Sequence, residues 1–339
     1  MNYIFITIFN QEKYVDMFFL LLESIFTYGI LNNNTNILIY TSTLFMNIIK
    51  KSHLFNDEKM KFEINDTYDN IDKACKARLD LFNFSSITNY KKILYLDTDI
   101  LIKDNIDKIF DLCRDDILYV LEEGQIHSDS DCWGKTLFGD EINNYNDKTA
   151  FSSGILLFNN CEKIKDLFIK INKDIINRPY DFLCCDQPYI IYNAFKYNLY
   201  NNKILKFFAV NNDTNIHSDK IIHHFPGTPG YYIYKIPTMT TFLNSLKNQY
   251  KLNEGIICSI KNNLENKTYT WENSYITFLP NFKMKAFGKG SYSFIDNKTI
   301  IAEFGGRIHN IKFNKNNTYF TSTRMGDLQN VNGKLVDDL

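Results

Sequence analysis

Four short runs of apolar, largely β-branched or aromatic residues, and one alternating run, recur within the first 121 residues and do most to limit the fold. They are "YIFITIF" (Tyr3–Phe9), "NILIY" (Asn36–Tyr40), Lys61–Ile64, "KILYL" (Lys92–Leu96) and "ILYVL" (Ile117–Leu121). Each has strand length, and amphipathic stretches separate them. The first such stretch runs from Glu12 to about Thr27, with Asn10 positioned to cap it and Gly29 to stop it. Leu44–His53 reads as a second helix. In "NIDKACKARLDLFNF" (Asn70–Phe84), helical spacing puts Ile71, Ala74, Cys75, Arg78, Leu79 and Phe82 near one face. Strands alternating with helices imply parallel pairing through crossovers, an α/β sheet. Ligands of open α/β sheets bind beyond the carboxyl ends of the strands.

Later segments fit the same scheme. After Ile126 the pattern loosens through Asn146, as expected of a site loop. "FSSGILLF" (Phe151–Phe158) is a strand, Cys161–Ile176 a helix, and "CCDQPYIIYNAF" (Cys184–Phe195) a helix with Asp186 near its start. "KIIHHFPGTPGYY" (Lys220–Tyr232) is a strand entering a Pro/Gly loop. Beyond about Gly255, short alternating strands broken by Gly and Asn predict a small all-β module. The expected division is residues 1–252, a β-rich module over 253–330, and a tail over 331–339.

Composition narrows the function classes. The 339 residues are 45% hydrophobic and 23% charged, a globular balance. A formal net charge of −1 gives no signal for nucleic acid or an anionic membrane. No apolar run has spanning length. The N-terminus lacks a basic region and a small-residue cleavage site, so it reads as a strand of a cytoplasmic protein. Seven cysteines without CxxC pairs suit a reducing compartment and argue against a disulfide framework or a zinc site.

The chemical signal lies in "KKILYLDTDILI" (Lys91–Ile102). Asp97 and Asp99 interrupt an apolar run just past a strand end. Residues i and i+2 of an extended chain point to the same side, so both carboxylates can face one divalent cation. Hard oxygen ligands suit Mg2+ or Mn2+, and such an ion commonly bridges to substrate phosphates. A histidine ligand would favour Mn2+. A second Asp-x-Asp, Asp129-Ser130-Asp131, has no strand before it and reads as a solvated loop.

The segment "KARLDLF…KKILYLDTDILI" resembles the nucleotide-sugar region of GT-A glycosyltransferases, in particular glycosyltransferase family 8, with its glycogenin-like and galactosyltransferase members. "FSSGILLF" resembles that family's Phe-Asn-x-Gly strand, "CDQPYIIYN" its Asp-Gln helix start and "HHFPG" its late His-x-x-Gly loop. The resemblance covers about residues 1 to 250. It implies a GT-A fold (a Rossmann-like mixed sheet flanked by helices) and a Mn2+-dependent hexosyltransferase. The donor would be a UDP-sugar, the acceptor a glycan or protein hydroxyl, with no nucleic acid and no membrane segment involved. Transfer would retain the anomeric configuration.

Carried over position by position, the resemblance makes Asp97, Asp99 and His224 the metal ligands, with His223 turned away by strand alternation. Arg78 would face the diphosphate or donor sugar. Asp186 and Gln187 would lie beside the sugar, although Asp186 also suits a plain helix cap. Ile8, Phe9 and Tyr14 would receive uracil, a role that core packing explains nearly as well. Thr98, Ser152, Ser153 and Gly227 complete the donor contacts. Two positions depart from the pattern. Ser152 stands where the family has Asn, which leaves the donor sugar open. Gly230 stands where a diphosphate-binding lysine is expected, so either Lys220, Lys235 or Arg78 substitutes or the rate is lower, and Lys235 is the expected substitute.

Two other classes compete. A sugar nucleotidyltransferase would want a glycine-rich phosphate loop after the first strand, and "TIFNQEKY" has no glycine. A catalytically impaired relative would bind carbohydrate through the β module. There Trp271, Tyr275, Tyr292, Phe304, Arg307 and His309 either form an aromatic sugar-binding face or pack a small barrel.

Overall fold

A computed structural model describes residues 1–146, 148–180, 182–227, 234–248, 264–280, 283–294, 298–324 and 327–336. The chain divides into two compact units, Met1–Asn244 and Ser245–Leu339.

The first unit is built on β1 (Asn2–Ile8), α1 (Glu12–Tyr28), β2 (Thr35–Thr41), α2 (Thr43–Lys50), β3 (Met60–Ile64), α3 (Ile71–Lys76), β4 (Lys92–Leu96), β5 (Ile100–Ile102) and a short α4 (Asp107–Phe110). Then come β6 (Leu118–Gln125), α5 (Lys135–Phe138), β7 (Thr149–Asn159), α6 (Glu162–Asn177), α7 (Gln187–Lys196), β8 (Tyr200–Asn201), β9 (Ala209–Asn211) and β10 (Ile222–His224). Residues 234–248 are helical.

The main sheet has the order β3-β2-β1-β4-β7-β6-β8. Strands β3, β2, β1 and β4 are mutually parallel, as the alternation predicts, and β7 runs antiparallel to both β4 and β6. Its two faces carry separate cores. Along β1, Tyr3 and Phe5 join the core packed by α6 and α7, while Ile4, Ile6 and Ile8 join the core packed by α1 and α2. A strand buried on both faces must be apolar at successive positions, which "YIFITIF" is. On α1, Phe18, Leu21, Leu22 and Ile25 are fully buried. Each such side chain contributes about 1.5–3 kcal/mol relative to an exposed one.

A second sheet, β5-β10-β9, could not be read from the chain order. It joins the segment after the Asp-x-Asp to one more than a hundred positions on. The register sets His224 opposite both Ile100 and Asn211.

Three local readings need correction. Gln11, not Asn10, is the N-cap of α1, and it makes no side-chain cap; Asn10 takes φ 73° at the turn out of β1. The helix expected over Asn70–Phe84 is α-helical only to Lys76. It then tightens into a 3-10 segment over Ala77–Asn83. Residues 331–334, placed in a terminal tail, belong to a strand pairing with its predecessor.

The second unit is an antiparallel meander of β11 (Thr268–Trp271), β12 (Ser274–Leu279), β13 (Lys283–Lys285), β14 (Lys289–Phe294), β15 (Thr299–Phe304), β16 (Arg307–Phe313), β17 (Tyr319–Arg324) and β18 (Asn330–Lys334). A bridge between Tyr269 and Leu335 brings its two ends together. Gly305 and Gly306, at φ 56° and 69°, form the two-residue turn between β15 and β16, a turn type that needs positive φ at both positions. Trp271, Tyr292, Phe304 and His309 are buried, while Tyr275 and Arg307 are exposed; Trp271, Phe304, Arg307 and His309 also line a cavity of about 270 Å³.

Candidate active site

Strand alternation places the first carboxylate. Leu94 and Leu96 enter the α1 side of the sheet and Tyr95 the opposite side, so Asp97 follows Tyr95 toward the 3-10 segment that carries Arg78. The Asp97 amide donates to the Gly154 carbonyl at 2.9 Å, which fixes it beside β7. Asp99 precedes β5, and its carbonyl accepts from the Phe225 amide at 2.9 Å. That bond draws the end of β10 over the Asp-x-Asp turn.

The outcome is a cluster in which Asp97, Asp99 and His224 each offer a ligand atom, all within 4.8 Å of one another. His224 Nε2 lies 3.4 Å from Asp99 Oδ1, an oxygen that is buried and accepts no hydrogen bond among the described residues. His224 Nδ1 lies 2.9 Å from Asn211 Oδ1. With that amide oxygen accepting the Nδ1 proton, Nε2 keeps its lone pair for a ligand. Gly154 leaves the necessary room: a Cβ there would stand 2.7 Å from His224 Nε2 and 2.9 Å from Asp97 Oδ2. Two carboxylates, one of them with an orphaned buried oxygen, and one imidazole fit a divalent transition ion. His223 points the other way, its Nδ1 at 2.9 Å from the Asp213 carbonyl and its ring against Phe242.

Beside this cluster runs a buried ion-pair chain. Arg78 is 8% exposed. Its Nε lies 3.0 Å from Asp186 Oδ2, one terminal nitrogen lies 3.4 Å from Asp97 Oδ1, and that nitrogen donates to the Ser153 carbonyl at 2.6 Å. The guanidinium also sits 4.7 Å from the centre of the Tyr95 ring. Burial disfavours its charge, but Asp186 and Asp97 outweigh burial and hold it protonated. Burial raises the Asp186 carboxyl to about 6 against the opposing pull of Arg78. Asp186 occupies the N-cap position of α7 yet makes no cap hydrogen bond, so the plain capping role does not apply. Asp99 responds in the opposite sense. Burial would raise it, but the Lys235 ammonium holds it well below the ordinary carboxylate range.

Gln187 is held at both ends of its amide. Its Oε1 accepts from the Ser153 amide at 2.9 Å and its Nε2 donates to the Cys132 carbonyl at 3.1 Å. Cys132 is disulfide-bonded to Cys184, with Cα atoms 5.1 Å apart. This corrects the reading of the cysteines as unbridged: spacing along the sequence gave no sign that residues 52 positions apart meet. Cys75, Cys113, Cys161 and Cys185 are free.

Asp97, Asp99, His224, Arg78, Asp186 and Gln187 line a cavity of about 320 Å³ together with Phe9, Tyr14, Thr98, Ser152, Gly227 and Lys235. Of the residues singled out from the sequence, Ile8 does not line it and lies wholly in the core. Phe9 lines it edge-on to Tyr40 and Tyr68. Lys220 is spent elsewhere, on Asp219 and the Phe207 carbonyl. Gly230 lies outside the described residues. The sequence reading missed Glu123, whose carboxyl lines the cavity beside Ser152 and Asn211 and is raised by burial. Its position at the carboxyl end of β6 was the available signal. Asn211 and Trp133 were missed as well.

The glycosyl transferase family 8 model matches residues 12–196, more than half of the chain. The chain belongs to glycosyl transferase family 8. No curated protein sequence matches it. Among solved structures, this family 8 transferase resembles mouse xyloside xylosyltransferase 1 in its apo form, at 13% identity and a TM-score of 0.50, over 68% of this chain and 99% of that one. The galactosyltransferase LgtC, solved with donor and acceptor sugar analogues, matches at 14% identity and a TM-score of 0.49, over 72% and 95%. The bifunctional glycosyltransferase WbbM matches at 14% and 0.48; the match takes in 73% of this chain and about half, 51%, of WbbM. The fold of the first unit is GT-A, and the protein is a glycosyltransferase. Among the described residues no helix is long and apolar enough to cross a membrane.

Proposed function

We propose that this transferase moves a hexose from a UDP-sugar to a hydroxyl of a glycan or protein acceptor, with Mn2+ as the resident ion and retention at the anomeric carbon. The observation that carries this reading is the convergence of Asp97, Asp99 and His224 around the room left by Gly154. When bound, the ion would act as a Lewis acid toward the departing diphosphate.

The chain's own residues support the rest. Arg78 is a fixed cation beside Asp97 that needs no reorganisation to stabilise developing negative charge. Lys235 reaches the same place from the other side and takes the role of the missing family lysine. Phe9 and Tyr14 offer aromatic surface to the base. Front-face attack by the acceptor hydroxyl fits better than a double displacement. The motif-placed candidate for a nucleophile, Asp186, is 1% exposed and committed to Arg78, and both ends of the Gln187 amide are bonded to backbone.

The test is UDP release from a panel of UDP-sugars in Mn2+ and then in EDTA, since slow hydrolysis needs no acceptor. One donor is expected to give Mn2+-dependent release that Asp99→Ala lowers by at least ~10²-fold, the scale of losing a group that stabilises transition-state charge. If no donor is cleaved and none shifts the melting temperature with Mn2+, the carbohydrate-binding alternative replaces this one.

A further inference from the structure

Lys235 does more in this structure than wait for a diphosphate. Its Nζ lies 2.5 Å from Asp99 Oδ2 and donates to the Gly227 carbonyl at 3.3 Å. Both partners of the ion pair are almost out of water, with the lysine side chain 11% and the aspartate side chain 8% exposed. The other Asp99 oxygen faces His224 Nε2. The ammonium therefore sits on the carboxylate that the metal cluster depends on, where it supplies the positive charge that a buried carboxylate requires.

We infer that Lys235 is a built-in surrogate cation. It offsets the charge of Asp99 until an ion binds, and it must give up Asp99 for the ion and the nucleotide to bind together. This rests on the metal reading proposed above and concerns what precedes catalysis. An ammonium on one oxygen of Asp99 and a dication on the other would be like charges a few ångströms apart, so the two compete even where they do not overlap. A diphosphate resolves the conflict by offering the displaced ammonium a new anionic partner in the same cavity, which Lys235 and Gly227 both line. Lys235 would thus couple metal and nucleotide: each favours the state in which the lysine has left Asp99, and the coupling must be reciprocal.

The experiment reads Mn2+ affinity without turnover, from the free-ion signal in electron paramagnetic resonance, with and without UDP. The full chain is compared with Lys235→Met, which keeps the stem and removes the charge, and with Lys235→Arg, which keeps the charge. Without UDP, Lys235→Met is expected to bind Mn2+ about tenfold more tightly than the unaltered protein, within the ~5–150-fold range of such couplings, and Lys235→Arg about equally. UDP is expected to tighten Mn2+ binding strongly in the unaltered protein and much less in Lys235→Met. Equal or weaker Mn2+ binding by Lys235→Met in the absence of UDP overturns this inference and leaves the metal reading intact. Absence of Mn2+ binding by all three proteins overturns both.

Discussion

At the scale of single residues, the site is a set of charges that burial pushes in opposite directions. Asp186 titrates at about 6 in the folded protein, against an ordinary 3.8. A carboxyl whose folded value is raised holds its proton more tightly when folded, so its contribution to stability falls as pH rises between about 4 and 6. Asp99 is lowered, and its contribution is lost only as the solution becomes strongly acidic, outside that window. Asp186→Asn removes the first dependence and not the second. Relative to the unaltered protein, the variant should therefore gain about 2 kcal/mol between pH 4.5 and pH 7, because each tenfold difference in proton affinity is worth ~1.4 kcal/mol. Urea unfolding of both proteins at the two pH values, in EDTA, checks the sign; a difference independent of pH would mean that Asp186 is ordinarily acidic when folded. Asp97 and Asp99 were legible because two carboxylates interrupting an apolar run demand a partner. Glu123 and Asn211 were not, because each is one ordinary polar residue until the β6 and β9 ends meet His224.

At the scale of elements, the strand–helix alternation was readable because hydrophobic period reports local structure directly. The parallel half of the main sheet follows from it. What the period does not report is which distant segments meet. The β5-β10-β9 sheet depends on pairing Ile100 with His224, and the disulfide depends on the turn around Asp131–Trp133 reaching the start of α7. That bond has a positional consequence. The carbonyl of Cys132 is a partner of Gln187, so the covalent link fixes the loop against which Gln187 is set. Replacing both cysteines by serine should cost about 2–4 kcal/mol of stability, the usual range for removing a bridge across a loop of this size. The donor KM should rise as well, because Gln187 loses a fixed acceptor. Denaturant midpoints of the double variant and the unaltered protein decide it, and identical midpoints would mean that the two thiols are not bonded in solution.

At the scale of the whole molecule, the two units have separate cores. The clusters flanking the main sheet draw on residues up to Ile222, and the third draws on residues from Leu264 onward. A domain with its own core can unfold on its own, so calorimetry of the full chain should show two transitions. At ~0.7 kcal/mol per residue, a unit spanning Met1–Asn244 and one spanning Ser245–Leu339 would absorb about 170 and about 65 kcal/mol. Their ligand responses should differ. All the cavity residues of the proposed donor site lie in the first unit, and a ligand at a hundred times its dissociation constant stabilises its own unit by about 2.7 kcal/mol. Mn2+ with UDP at that level should raise the larger transition by roughly 5–10 °C and leave the smaller one in place. A glycan recognised by the eight-stranded sheet alone would do the reverse, moving the smaller transition only. A single transition that moves as one with Mn2+ and UDP would mean that the β-rich unit does not fold independently, and that its strands support the transferase rather than serve it as a separate module.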